Sequence, residues 1–249
     1  MEHLTSFKKK RVVPVIISGI LSFIFFLNLF SLYSYADNKF CEAKCLSDID
    51  IYRNHDNDCM KIALTFDDGP HPKYTPQILN ILDKYRIKAT FFAVGINAYY
   101  YPDTLREVSK RGHEIGNHTF SHPHVNQVDN DHLKEEIAQC EETVYGVTDL
   151  RTRVFRPPEG MIDSSILAVV RELDYRVILW DIDTRDWAHT PAEDIAKNVI
   201  EHIKPGSIIL MHDYIGSNSP TCEAMNIFIP KLIEMGYKFV VISELIDTK

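Results

Sequence analysis

Residues 61–85 read KIALTFDDGPHPKYTPQILNILDKY. The first six form an apolar run closed by the turn-forming Asp-Asp-Gly-Pro, which is the pattern of a strand buried on both faces. From Thr75 the apolar residues take helical spacing, so a helix is expected over Thr75–Tyr85. The alternation repeats along the rest of the chain. Strands are expected at Lys61–Phe66, Ala89–Val94, His113–Asn117, Val154–Arg156, Arg176–Leu179, Ser207–Met211 and Lys238–Ile242. Helices are expected near Thr75–Tyr85, Thr104–Arg111, Asp131–Tyr145, Ser164–Leu173, Pro191–Ile203 and Cys222–Met235. Thr190-Pro191 reads as a helix cap followed by the first helical position, and Gly112 and Gly236 stand where helices should end. Strand–helix alternation implies an α/β fold with a parallel sheet of about seven strands. Periodicity leaves both an open, doubly wound sheet and a closed barrel available.

The chain has 249 residues, 45% of them hydrophobic and 25% charged, with 10 Gly and 12 Pro. That composition supports one substantial core and excludes a disordered chain, a collagen-like repeat and a small disulfide scaffold. The formal net charge is −8. Setting aside residues 1–36 removes four bases (Lys8, Lys9, Lys10, Arg11) and one acid (Glu2), leaving 23 bases against 34 acids, a net −11. So acidic a domain does not suit general binding to a phosphate backbone, and no nucleic-acid partner is expected.

Residues 1–36 read as an address rather than as part of the fold. A basic cluster, Lys8–Arg11, precedes the uncharged run VVPVIISGILSFIFFLNLFSLY at 12–33, close to the length of a membrane-spanning helix. Ser34-Tyr35-Ala36 is a small-x-small triplet suited to signal peptidase. The segment is therefore a signal peptide or an N-terminal membrane anchor formed by a hydrophobic helix. Either way the basic flank stays cytoplasmic and the remainder is extracytoplasmic, anchored at the cell surface or secreted. Residues 37–59 are polar and read as a linker, and residues 60–249 as one catalytic domain. Three of the five cysteines (Cys41, Cys45, Cys59) fall in the linker, with Cys140 and Cys222 in the domain. An odd number leaves at least one thiol unpaired within the chain.

In parallel α/β folds the site forms at the carboxyl ends of the strands. Polar residues there need a chemical reason, and five groups stand in that position. Asp67 and Asp68 follow the first strand, as adjacent carboxylates that face different partners. His118 and His122 follow the third; at i, i+4 they share one face of a helical turn and can grip one ion. Arg156-Pro157-Pro158-Glu159 follows the fourth, where two prolines stiffen the loop. Trp180–Trp187 follows the fifth with three acids and two indoles, a mixture typical of sugar-binding clefts. His212 ends the sixth. One Asp and two His with open positions make the donor set of a catalytic metal.

These residues resemble the polysaccharide deacetylase family (carbohydrate esterase family 4, the NodB homology domain). Its motifs occur in order: T-F-D-D-G-P at 65–70, H-[ST]-x-x-H at 118–122, R-x-P at 156–158, D-x-x-D-W at 183–187 and L-x-H at 210–212. The resemblance implies a distorted (β/α) barrel of about seven parallel strands. It also implies that Asp68, His118 and His122 hold a divalent ion, Zn²⁺ in the main with Co²⁺ or another ion as substitutes. Asp67 would be the general base and Arg156 its orienting partner. His212 would be the general acid, tuned by Asp186, with Trp187 and Leu210 lining the acetyl pocket and the backbone N–H of Glu159 facing the oxyanion. One position departs from the pattern: the family usually has Tyr or Phe where this chain has Glu159, and a carboxylate there disfavours acidic glycans.

The implied function is metal-dependent removal of N-acetyl groups from an extracellular glycan, either peptidoglycan N-acetylglucosamine or a chitin-like oligosaccharide. Export near the membrane favours peptidoglycan. The alternatives are an O-acetyl esterase on acetylated xylan, a non-catalytic glycan-binding module, and an iron oxygenase with the same ligand types.

Overall fold

The computed structural model describes residues 51–55 and 60–247. The hydrophobic run at 12–33 and Cys41, Cys45 and Cys59 lie outside the described residues. Among the described residues no helix is long and apolar enough to cross a membrane.

Among the described residues nine strands form one sheet: β1 (Ile51–Tyr52), β2 (Lys61–Asp67), β3 (Thr90–Ala93), β4 (Glu114–Asn117), β5 (Val154–Phe155), β6 (Arg176–Ile178), β7 (Ile182–Asp183), β8 (Ile208–His212) and β9 (Lys238–Val240). Every pairing is parallel, in the order β1-β6-β5-β4-β3-β2-β8-β7. β9 joins β2 at Lys61–Ala63, below the point where β3 takes over at Thr65. The seven expected strands are all present, and β1 and β7 are additional two-residue edges.

The sheet curls until its ends nearly meet. An antiparallel bridge joins Asn54 to Ser207 at the foot of β8, and the His55 N–H donates to the Gly206 carbonyl at 2.9 Å. The residues just after β1 thus reach the opposite side of the barrel. Ile51–Tyr52 falls in the stretch read from sequence as a linker, yet it pairs with Val177–Ile178 and opens the barrel wall. This is the distorted (β/α) barrel that the motifs imply.

Side chains alternate across each strand. In β2, Ile62, Leu64 and Phe66 point outward into the core between sheet and helices, whereas Ala63 joins the barrel interior with Phe92, Val154, Ile178, Ile208 and Val240. Thr65 and Asp67 continue the inward face, so the lumen runs from apolar to polar along one strand. The outer layer comprises α1 (Tyr74–Tyr85), α2 (Gly95–Tyr100), α3 (Pro102–Lys110), α4 (Asn130–Thr148), α5 (Ser164–Glu172), α6 (Ala192–His202) and α7 (Thr221–Glu234). The terminal α8 (Ile242–Ile246) puts Ile242, Leu245 and Ile246 into the interior cluster and plugs the lumen. Gly112 and Gly236 do adopt the left-handed backbone after their helices (φ 73° and 93°). Thr190 does not cap α6, because its hydroxyl donates to the Arg185 carbonyl at 2.8 Å.

His113, just before β4, is buried, and its Nδ1 accepts the Ala89 N–H at 3.2 Å. The proton therefore sits on Nε2, which has no hydrogen-bond partner. Burial, then the nearby Lys88 ammonium, push this imidazole down to about 4. The unfolded chain takes up that proton near its ordinary value of 6.5, so His113 withdraws stability as pH falls from 6.5 towards 4. We expect His113→Asn, which keeps an acceptor but does not titrate, to lose about 2–3 kcal/mol less than the parent over that interval in urea titrations. Equal losses in both proteins would contradict the assignment.

Candidate active site

The site starts inside the barrel. Arg156, at the end of β5, is fully buried and spans the lumen. Its Nε donates to the Ile178 carbonyl at 3.1 Å and Nη2 to the Leu179 carbonyl at 3.1 Å. Nη1 donates to Thr65 Oγ1 at 2.9 Å and to Asp67 Oδ1 at 2.7 Å. The guanidinium lies 4.2 Å over the Phe92 ring and 5.5 Å from Trp180. A buried charge needs such full satisfaction. Burial lowers the guanidinium from its ordinary value, opposed by the Asp67 charge and hydrogen bond.

Asp67 ends β2 facing inward; Asp68 leaves the strand with φ 75°, which aims the second carboxylate elsewhere. Asn97 Nδ2, in α2, donates to the Asp68 carbonyl at 2.7 Å and holds the turn. The next residue must be glycine, since a Cβ on Gly69 would lie 2.0 Å from the buried Asp213 carboxylate. Asp213, after β8, accepts from Thr75 Oγ1 at 2.5 Å, and burial with the neighbouring Asp68 and Asp67 charges pushes it up to about 7.

Asp68 Oδ1 stands 3.5 Å from His118 Nε2 and 3.4 Å from His122 Nε2, and the three donors lie within 4.8 Å of one another. The helical turn expected for 118–122 is absent. Thr119 and His122 are left-handed (φ 69° and 58°), and the segment is a loop. Side chains shape it: Asn117 Oδ1 accepts the Thr119 N–H at 2.9 Å, and the buried Glu136 accepts the N–H groups of Phe120 (2.9 Å) and Ser121 (2.7 Å) and the Ser121 hydroxyl (2.8 Å). The His118 Nδ1–H donates to the Arg156 carbonyl at 2.7 Å, which leaves the Nε2 lone pair facing Asp68.

This donor set fits a small divalent ion. Ligands about 2.0–2.1 Å from a tetrahedral centre are about 3.3–3.4 Å apart, close to both measured separations. The charges agree. Burial alone would raise the Asp68 carboxyl, but the His118 hydrogen bond and the His118, His212 and His122 charges hold it below its ordinary value. His118 is lowered by burial yet raised overall by Asp67 and Asp68, while burial and the His118 charge lower His122. Three histidines and two aspartates thus crowd one small volume.

His212 ends β8 across from Asp67, its register partner in β2. Its Nδ1–H donates to Asp186 Oδ1 at 2.8 Å, and its backbone N–H to Asp186 Oδ2 at 2.9 Å. The Thr221 hydroxyl also donates to Asp186 Oδ2, at 2.7 Å. Burial pulls the imidazole down, but the Asp186 hydrogen bond and charge, with Asp67 and Asp68 behind them, outweigh it and raise His212 to about 9. A cavity of about 460 Å³ adjoins these groups, with Trp180, Trp187, Leu210, Glu159, Gly160 and Asp183 forming the rest of its wall. Glu159 is left-handed (φ 59°), and its carboxylate pairs with His124 Nδ1 at 2.9 Å on the rim.

A family model described as polysaccharide deacetylase matches residues 54–178. A peptidoglycan-N-acetylglucosamine deacetylase of Bacillus cereus is 38% identical over 190 residues, covering 76% of this chain and 89% of that protein. The chain belongs to the polysaccharide deacetylase family. A chitooligosaccharide deacetylase of Azorhizobium caulinodans is 35% identical, with 71% and 90% covered. A crystal structure of a peptidoglycan N-acetylglucosamine deacetylase in complex with 4-naphthalen-1-yl-N-oxidanyl-benzamide superposes with a TM-score of 0.79 at 33% identity, covering 82% of this chain and 96% of that one.

All ten residues singled out in this polysaccharide deacetylase sequence meet at one end of the barrel, in the cavity wall or in direct contact with a residue that lines it. Sequence reading missed the supports: Thr65 and Asn117 on strands, Glu136 in the middle of α4, and Thr221 at the start of α7. Glu136 gave the clearest signal, a carboxylate on the buried side of an amphipathic helix. We expect Glu136→Gln to weaken divalent-metal affinity about 10–100-fold in a chelator competition while the fold is retained. We also expect His212, followed by NMR in metal-free protein, to titrate near 9, and Asp186→Asn to lower it, because burial is then opposed only by the Asp67 and Asp68 charges. An unmoved titration would refute the pairing.

Proposed function

We propose that the chain is an extracytoplasmic, Zn²⁺-dependent N-deacetylase acting on N-acetylglucosamine units of a glycan, with peptidoglycan as the substrate and chitin-like oligosaccharides as the close alternative. The observation that carries this reading is the convergence of Asp67, Asp68, His118, His122 and His212 on one cavity. The names of the relatives support the substrate, and the apolar run at 12–33 supports export, with membrane attachment where it is retained.

Asp68, His118 and His122 would hold the ion. When bound, the ion supplies Lewis acidity, which brings the pKa of water towards neutrality and polarises the amide carbonyl. Asp67, fixed by Arg156, takes a proton from the attacking water as its oxygen bonds to the acetyl carbon. The developing oxyanion accepts from the backbone N–H of Glu159. The C–N bond breaks as His212 delivers its Nε2 proton to the departing amine; the raised imidazole is cationic at neutral pH, and Asp186 holds the opposite nitrogen. Acetic acid and a free amine result, the acid then passing its proton to the amine, and the proton held on Asp67 returns to His212 through solvent, so proton count and charge balance. Leu210 and Trp187 line the space for the methyl group.

The test is acetate release from isolated cell wall by the full-length, Zn²⁺-loaded protein. Asp67→Asn should lower turnover by at least about a hundredfold with metal retained, and Asp68→Asn should lose metal affinity. Turnover by Asp67→Asn within a few-fold of the parent would remove it as general base. Release from acetylated xylan with none from wall would reassign the protein as an O-acetyl esterase.

A further inference from the structure

A second cavity, of about 360 Å³, lies on the flank of the barrel, between α4 and the segments that lead into β5 and β6. No step of the proposed reaction uses it. Part of its wall is a polar cluster: Glu141 on α4, Thr152 before β5 and Tyr175 before β6. Glu141 Oε2 accepts the Thr152 N–H at 3.0 Å and lies within hydrogen-bond reach of two hydroxyls, that of Thr152 and, at 2.9 Å, that of Tyr175. The two hydroxyl oxygens are 2.6 Å apart. The Tyr175 ring is held edge-on to the buried Phe155, with centroids 6.2 Å apart and planes at 65°.

This cluster is bonded to the end of β4. Asn117 Nδ2 donates to the Tyr175 oxygen at 3.3 Å. Because Asn117 presents a donor there, the phenol proton must point to Glu141 or Thr152, and a phenolic lone pair is left for the amide. The other partners of Asn117 have only one role each. The Ile137 carbonyl can only accept, and takes an Nδ2 proton at 2.9 Å; the Thr119 N–H can only donate, and Oδ1 accepts it at 2.9 Å. Asn117 is fully buried, so without Tyr175 one of its N–H groups would lose its partner away from water, which is costly. The amide in turn shapes the turn that carries His118, since Thr119 is left-handed (φ 69°) and its N–H is held by Oδ1. His118 therefore hangs between two supports. The Arg156 carbonyl takes its Nδ1–H from inside the barrel, and Asn117, braced from the flank, fixes the backbone on either side of it.

We propose that Tyr175 is a positioning residue for the candidate metal centre: from the flank of the barrel it braces the Asn117 amide, which holds the Thr119 turn and so the direction of the His118 imidazole. This rests on the reading of Asp68, His118 and His122 as ligands of one ion, and adds to it a residue that touches neither ion nor substrate. The test titrates the full-length, metal-free protein with Zn²⁺ against a chelator. Tyr175→Phe removes one oxygen and should weaken Zn²⁺ binding at least about fivefold, less than the roughly 10–100-fold that follows loss of a ligand's direct partner. Val169→Ala, a packing loss on the buried face of α5, should lower the melting temperature but leave Zn²⁺ affinity within about twofold. In metal-free protein the Thr119 amide proton, followed by NMR, should move upfield in Tyr175→Phe as its bond to Oδ1 loosens, and stay in place in Val169→Ala. Zn²⁺ affinity unchanged in Tyr175→Phe, or weakened equally in both variants, would overturn the proposal. If the parent itself binds no Zn²⁺, the reading of the metal centre fails. The brace on the turn then stands where Tyr175→Phe moves the Thr119 proton, and falls where that proton is unmoved.

Discussion

A fully buried ion pair, Arg156 with Asp67, organises this end of the barrel. Removing both charges from water costs several kcal/mol apiece, and a pair at this depth persists only when every other polar group on it is bonded. Here two backbone carbonyls, Thr65 and two aromatic faces complete the guanidinium's surroundings. The same residue fixes the candidate metal centre through its backbone, because its carbonyl accepts from His118 Nδ1. One arginine therefore orients both the carboxylate proposed as base and an imidazole that would hold the ion.

The barrel makes this convergence possible. Parallel pairing brings every strand's carboxyl end to one rim, and inward alternation along β2 places Thr65 and Asp67 above the apolar interior. The register Asp67↔His212 then sets the proposed base and acid on neighbouring strands. Behind them, Glu136 and Thr221 reach in from the outer helices to fix the 118–122 loop and Asp186. Catalytic geometry of this kind depends on such supporting bonds as much as on the reacting groups.

Much of this could be read from the chain alone, for identifiable reasons. Strands such as Lys61–Asp67 and Ile208–His212 are continuous apolar runs ending in acid or imidazole, so both their type and the location of their chemistry stand out. The two-residue edges Ile51–Tyr52 and Ile182–Asp183 are too short to show periodicity, and their pairing comes from the closure of the sheet. The helical turn expected at His118–His122 fails because Thr119 and His122 are left-handed and Thr119 Oγ1 takes the His122 N–H that such a turn would give to the His118 carbonyl. Glu159 could be recognised as unusual, but not its ion pair with His124, which joins two separate loops.

The central claim is that Asp68, His118 and His122 share one divalent ion beside Asp67. Anomalous diffraction at the zinc edge from crystals of the Zn²⁺-loaded protein measures this most directly. The account predicts a single strong peak about 2.0–2.2 Å from a carboxylate oxygen of Asp68 and from Nε2 of both histidines. A peak that leaves out any of those three residues, or zinc found only elsewhere on the molecule, would contradict it.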